Sequence, residues 1–391
     1  MKRFTLIFLC ALGLLISPRL LHATTYLAVG TCKPSLAKYS TFSAAVTAAA
    51  SAAQPVTVEV CPGAYSEQVT ISTPLTLEGI TSANGARAVI EIPTGGLTTS
   101  VTSIVPGKTV YPQVLVTATT GPVNITNITV DGTNNGLDGS AYVAGIFYES
   151  GSSGTVNQVT ARYEIDDGEG AGIWAENGSS TMESVTIENC DIHDVDEWGI
   201  FVASDQTPAT LDATIKGNDV QGGSLGPTRG IYSFGAAGTI TSNVVTDSLG
   251  YGIFGYGLTG SILDNTISNT EANTNTVGIV LRGSGAELVK GNAVTNSNGS
   301  GDMGILIYDS SATVEDNKIT NSNIAIEFAC TSATVSGNTI TDAATGLDQV
   351  PSGLVVTNTY YDVDTIRTEG CSSAAKAAKS KLSLFLQNLK P

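Results

Sequence analysis

Between Ala141 and Leu347 the chain repeats one short phrase about nine times, and this limits the folds open to it more than any other feature. Each copy pairs a Gly-Ile strand start with a later Val/Ile-x-x-Asn-x-Val/Ile turn. The glycines fall at Gly145, Gly172, Gly199, Gly230, Gly252, Gly278, Gly304 and Gly346, so neighbouring copies are 22 to 31 residues apart, with one interval of 42. The long interval contains a copy without its glycine, Ile324-Ala325-Ile326. The second landmark recurs in step at Cys190, Asn218, Asn243, Asn265, Asn292, Asn317, Asn338 and Asn358. Two landmarks keeping one period over roughly two hundred residues mark a repeat architecture. Apolar residues alternate or run on after each Gly-Ile, and Thr, Val, Ile, Asn and Gly dominate, which predicts short strands joined by turns. One coil cannot bury its own apolar side, so coils stack and the chain becomes a solenoid.

The asparagine turns read Lys216-Gly-Asn218-Asp-Val220, Leu263-Asp-Asn265-Thr-Ile267, Glu315-Asp-Asn317-Lys-Ile319 and Ser336-Gly-Asn338-Thr-Ile340. With the Gly-Ile strands, they resemble the right-handed parallel β-helix of the pectin-lyase-like superfamily. The resemblance implies an all-β solenoid in which stacked asparagines form a ladder inside one turn; Cys190 departs from that pattern at its rung. A leucine-rich repeat has an Asn-x-apolar element at similar spacing. It also needs a Leu-x-x-Leu-x-Leu run, which these coils lack.

The ends of the chain read differently. Met1 to Ala23 has the pattern of a secretory signal: Lys2 and Arg3, an apolar run from Phe4 to Ile16, and a cleavage point near His22-Ala23. That run is too short to span a membrane. The alanine-rich stretch Thr41 to Gln54 predicts a helix. Followed by Val56-Thr-Val-Glu-Val-Cys61 and Leu75-Thr-Leu-Glu-Gly79, it resembles the opening of pectin methylesterase domains, where a helix caps the first coil. Near the C-terminus Leu382, Phe385, Leu386 and Leu389 recur at helical spacing beside Lys376, Lys379 and Lys390, which predicts a basic amphipathic helix. The resulting division is a signal over 1–23, a β-helix domain over 24–371 with its N-terminal cap, and a C-terminal helix over 372–391.

Charge and cysteines narrow the setting. The chain holds 18 basic and 35 acidic residues; losing Lys2, Arg3 and Arg19 with the signal leaves 15 basic residues and a net charge of −20. Such a body repels nucleic acid and anionic membranes. The expectation is a secreted or periplasmic monomer with no membrane span. Cys32 and Cys61 bracket the first helix and are expected to pair in an exported chain, Cys330 and Cys371 to staple the last coils, and Cys190 to stay a buried thiol.

Chemistry is expected on the outside of the coils. If the Ile of each Gly-Ile points inward, the next residue points outward, giving Phe147, Trp174, Phe201, Tyr232, Phe254, Val280 and Leu306. Two residues further on, the column reads Glu149, Glu176, Ala203, Phe234, Tyr256, Arg282 and Tyr308, and Trp198, Arg229 and Tyr251 precede their glycines. An exposed aromatic strip of this length suits a polysaccharide, because sugars present apolar faces to rings and hydroxyls to carboxylates; the alternative is that another part of the chain covers it. Asp166, Asp167 and Glu169 precede the strand of Trp174, and His193, Asp194 and Asp196 precede that of Phe201. Stacked on successive coils, these carboxylates are expected to supply a general acid or to hold Ca²⁺, or else to be solvated turn residues. Asp166-Asp167 resembles the paired aspartates of polygalacturonases, though the Gly-His-Gly and Arg-Ile-Lys motifs of that family are missing. Asp191-Ile-His193-Asp194 resembles the Asp-Pro-His-Asp of alginate epimerases and lyases, yet Asp-Ile-His falls where any coil places Asn-x-Ile. Arg229 and Arg282 flank the strip, and β-helix lyases take a base from arginine. Two readings stand: a polysaccharide hydrolase or lyase, and a non-catalytic structural or adhesive β-helix. Outside the ladder, Asn296 reads as a surface asparagine.

Overall fold

A computed structural model describes residues 23–137, 139, 141–167, 169–222, 229–269, 276–283, 287–297, 299–329, 331 and 333–370. The signal stretch 1–22, the tail 372–391 with its expected helix, and Cys330 and Cys371 lie outside them.

Each repeat forms one coil of three short strands. In a typical coil Gly170–Asn177, Glu183–Glu188 and Asp191–His193 are extended. They pair in parallel with Trp198–Ser204, Leu211–Lys216 and Asp219–Gln221 of the next coil. Three parallel sheets result, and the inward side chains fill one continuous core. The isoleucine after each glycine stacks in register from Ile146 through Ile173, Ile200, Ile231, Ile253, Ile279 and Ile305 to Ile326 and Leu347. The copy without its glycine is thus a true coil, with Ala325 beside Gly304. Elsewhere glycine is needed for space: a Cβ at Gly199 would lie 2.6 Å from the Gly230 carbonyl oxygen and press on a methyl of Val220.

The ladder forms as the resemblance implies. From Asn218 to Asn338, each amide nitrogen donates to the Oδ1 of the next asparagine at 2.9–3.0 Å. It also donates to a main-chain carbonyl of the coil behind. The residue before each ladder asparagine turns the corner with φ between 53° and 69°, and it is Gly217, Ser242, Asp264, Gly291, Asp316 or Gly337. Most of these are types that tolerate left-handed backbone. Cys190 fills the first rung: its N–H donates to Asn218 Oδ1 at 2.9 Å, and its sulfur faces the Glu188 carbonyl at 3.3 Å. Burial pushes the thiol up to about 12, so the S–H persists as a weak donor where the other rungs carry an amide.

Asn296 corrects an expectation. It is fully buried and donates to the Met303 carbonyl and to Ser322 Oγ, because its strand end turns inward beside Asn269.

At the N-terminal end the helix is shorter than expected, Phe42–Ala49. Thr41 Oγ1 accepts from Ala44 N–H, and the Glu67 carboxylate accepts from the N–H groups of Phe42 and Ser43. Phe42, Ala45, Val46 and Ala49 join the solenoid core. Cys32 and Cys61 form the expected disulfide, with their Cα atoms 5.6 Å apart. No described helix is long and apolar enough to cross a membrane.

Candidate functional site

The outward aromatic column exists, but the expectation of an exposed strip is corrected. Phe147, Trp174, Trp198, Phe201, Tyr232 and Phe254 are buried in a second apolar cluster outside the coils, together with Tyr142, Tyr251, Val280 and Leu306. Part of the cover is a strap that leaves the solenoid before the repeats begin. In it Val101–Thr102 runs antiparallel to the start of Thr109–Val116, and Val101, Ile104 and Val105 pack into this cluster. Inside the cluster Trp174 meets Trp198 edge to face at 5.1 Å, and Phe201 stacks on Tyr232 at 5.1 Å. Period-two alternation fixes which side of a coil a residue faces; it carries no information about a second layer beyond it.

The next outward row is open only in part, with Glu149, Phe234, Tyr256 and Arg282 half-buried and Glu176, Ala203 and Tyr308 buried, and it combines distinct chemistry. Glu149 follows Tyr148, which pairs with Ala175, so Glu149 and Glu176 sit one rung apart. Glu176, Ala203, Phe234, Tyr256, Arg282 and Tyr308 continue in register. Phe234 and Tyr256 are half-buried and stack at 4.9 Å with their planes 1° apart. The Arg282 guanidinium lies 5.2 Å over Tyr256 and 5.4 Å over Tyr308. Beside the aromatic pair runs a groove of about 840 Å³, lined by Asp205, Gln206, Phe234, Tyr256 and the glycines Gly257 and Gly283. A Cβ at Gly283 would meet open space and one at Gly257 only the Gly235 backbone at 3.6 Å or beyond, so this floor is flat.

Glu176 lies at one end of this row and is 2% exposed. The Ile104 N–H of the strap donates to its Oε1 at 2.9 Å and the Trp174 indole to its Oε2 at 3.2 Å. Burial pushes its pKa up to about 8; the two hydrogen bonds pull down, and Glu149 and Asp205 push further up. Burial thus favours the protonated form of Glu176 while its two N–H donors favour the ionised one, and one rung away Glu149 accepts from the Thr117 hydroxyl. Both acids stood in the sequence row, but only burial distinguishes them there.

The acid-rich turns divide rather than converge. Asp166 and Asp196 are buried and serve the turns: Asp196 Oδ2 accepts the Asp166 N–H, and Asp166 Oδ1 accepts the Gly139 N–H, each at 2.7 Å. Asp167 and Asp194 occupy left-handed corners at φ 52° and 54°, and Glu169 is half-buried. His193 Nδ1 lies 2.8 Å from Asp194 Oδ2 on another face of the solenoid, near Tyr163 and the Arg162–Asp131 ion pair. Among the described residues, no three of these acids and the imidazole form a set that could hold a metal. Arg229 is buried, pairs with Glu197 at 2.9 Å and lies over the Trp198 and Tyr232 rings, so the sequence reading of it as an available base is corrected. Burial raises the Glu197 pKa, and Arg229 opposes the rise. The acid that sequence reading passed over is Glu164, fully buried, with neither carboxyl oxygen bonded among the described residues. Its signal was weak, one acid two residues before the acid pair.

Comparisons agree with this architecture. Residues 198–361 match the family model described as the right handed beta helix region. Among curated proteins no sequence matches the chain. A lacto-N-biosidase from Eubacterium ramulus superposes with TM-score 0.53 at 12% identity, covering 89% of this chain and 67% of that one. The A-module of a mannuronan C-5 epimerase from Azotobacter vinelandii gives 0.53 at 16% identity, over 85% and 94% of the two chains. An alginate lyase in complex with a trisaccharide gives 0.50 at 12%, over 89% and 88%. The chain folds as a right-handed parallel β-helix.

Proposed function

We propose that this is an exported protein that binds a polysaccharide in the groove beside Phe234 and Tyr256 and cleaves it with Glu176 as general acid. The observation that carries this reading is Glu176 itself. A buried carboxyl with a raised pKa, one rung from a second acid, suits glycosidic cleavage: one group protonates the leaving oxygen, and the other activates water or attacks. The groove follows the solenoid axis, so successive sugars meet successive coils about 4.8 Å apart. Asp205 and Gln206 on one wall suit sugar hydroxyls, and Arg282 suits a polar or acidic substituent. The same fold carries a biosidase, an epimerase and a lyase bound to a trisaccharide, in keeping with a saccharide ligand.

The test is product analysis on a polysaccharide panel with the wild type, Glu176→Gln and Tyr256→Ala. Cleavage is expected to vanish in the first variant with binding kept, and binding to weaken in the second. A second reading, binding without cleavage, is favoured by the strap N–H on Glu176, which occupies the acid in the closed protein. Binding in the wild type with no product on any member of the panel would select it.

A further inference from the structure

The strap and the rings beneath it lead further, on the footing that the groove holds a polysaccharide. Val105 belongs to both places: it packs in the buried aromatic cluster and lines the groove. The groove and the buried cluster therefore meet at Val105, Phe234 and Tyr256. The strap tip is held to itself by Ser103 and Lys108, whose main chains bond at 2.9 Å. Toward the coils the tip offers the Ile104 N–H to Glu176 and apolar contact through Val101, Ile104 and Val105. From Val110 onward the chain is anchored in a parallel sheet against Tyr142–Tyr148. In the same cluster, stacked on Tyr142, Trp198 is fully buried with no hydrogen-bond partner for its indole N–H among the described residues. A buried donor without an acceptor is unusual in a closed core, and it fits a surface that meets a hydroxylated ligand.

We propose that the strap tip is a displaceable cover, and that Phe147, Trp174 and Phe201 beneath it are a cryptic saccharide-binding surface continuing the groove toward Glu176. A sugar face replaces the apolar contacts of Ile104 and Val105, and a sugar hydroxyl takes the place of the Ile104 N–H on the Glu176 carboxyl. The acid is thereby released only when the chain it acts on is in place. The groups facing Glu176 are the Ile104 N–H, the Trp174 indole, Glu149 and Asp205. Burial holds its pKa at about 8 under the cover and contact with water returns it toward the ordinary carboxyl range, so opening becomes easier as pH climbs from about 4.5 toward 8 and levels off above that.

Trp174 and Trp198 are the two tryptophans of the chain and both are fully buried here, so their fluorescence reports the cover directly. Acrylamide quenching and binding to alginate, polygalacturonate, xylan and mannan are measured on the full protein, on the double variant Ile104→Gly, Val105→Ser, and on Glu176→Gln. Quenching in the wild type is expected to be weakest near pH 5, to rise toward pH 8 and to level off above it, to be strong at all pH values in the double variant, and to lose its pH dependence in Glu176→Gln. The polysaccharide that the wild type binds is expected to bind the double variant about tenfold more tightly, because the cost of opening has been removed. Weak quenching at every pH in the wild type with bound polysaccharide, or a double variant that binds no better, would overturn the cover while leaving the groove reading intact. Quenching that rises while no polysaccharide binds either protein would overturn the groove reading and this inference with it.

Discussion

At the scale of single residues, the ladder asparagines are unusual polar residues because almost every hydrogen-bonding atom they bury is used. Asn265 accepts from Asn243 twice, through the main-chain N–H and the amide, and donates to Asn292 and to the Ile240 carbonyl. Replacing it by alanine strands the Asn243 donors and the Ile240 acceptor in the core, so Asn265→Ala is expected to cost about 1–3 kcal/mol in urea unfolding. Asn84→Ala, at an exposed site, is the control and is expected to change stability by about 0.5 kcal/mol or less. Equal losses at the two sites would remove the ladder from the stability argument. Cys190→Asn extends the same logic. The rung behind Cys190 is Val159, which offers no amide, so a new asparagine there gains the carbonyls of Val156 and Glu188 but no side-chain partner behind it.

At the scale of the coil, sequence reading was strongest where one local rule repeats. The period, the inward isoleucines, the corner residue before each asparagine and the coil lacking its glycine follow from steric demands that recur every turn, so each copy confirms the next. It failed where a side chain answers to something outside its own coil. Trp174 and Phe201 alternate outward as read, and part of their cover comes from residues 101–110, whose composition reads as an ordinary loop. Asp166 and Asp196 sit in a run of acids that reads as solvated, but the turn folds its own N–H groups onto them. Glu149 and Glu176 were legible as members of an outward row, while the burial that sets Glu176 apart was not. The glycine column gives the prediction at this scale. A Cβ at Gly252 would lie 2.7 Å from the Gly278 carbonyl oxygen and crowd the Ile267 methyls, whereas the equivalent position of another coil already holds Ala325. Gly252→Ala is expected to destabilise by about 1–3 kcal/mol through overpacking, and Ala325→Gly by about 1 kcal/mol or less through chain entropy. Thermal unfolding of both variants checks the asymmetry; a harmless Gly252→Ala would mean that the coils separate easily and that glycine serves some purpose other than close approach.

For the whole molecule, the decisive quantity is how many carboxyls the solenoid buries. Burial raises the pKa of Glu164 well above the usual range, with Asp131 adding to the rise. Burial likewise lifts Glu287 to about 7, Glu327 to about 7 with help from Asp348, and Glu176 to about 8. All four shifts have one sign. Each folded-state value lies above the unfolded value near 4.5, so between them the folded protein binds more protons than the unfolded chain. Their contribution to stability is complete below roughly pH 4.5 and is lost as pH climbs toward 8. The urea midpoint is therefore expected to fall steadily between pH 5 and pH 8. Self-repulsion in a chain of net charge −17 would produce a similar slope, and salt separates the two causes. Surface repulsion is largely screened at about 0.5 M NaCl, whereas ionisation of a buried carboxyl is not. The double variant Glu164→Gln, Glu327→Gln keeps the shape of both side chains and removes their protons from the balance. It is expected to match the wild type near pH 4.5, to exceed it at pH 8, and to flatten the profile in high salt; a wild-type slope that disappears in salt, or a variant that keeps the full slope there, would move the pH dependence from the buried acids to the surface.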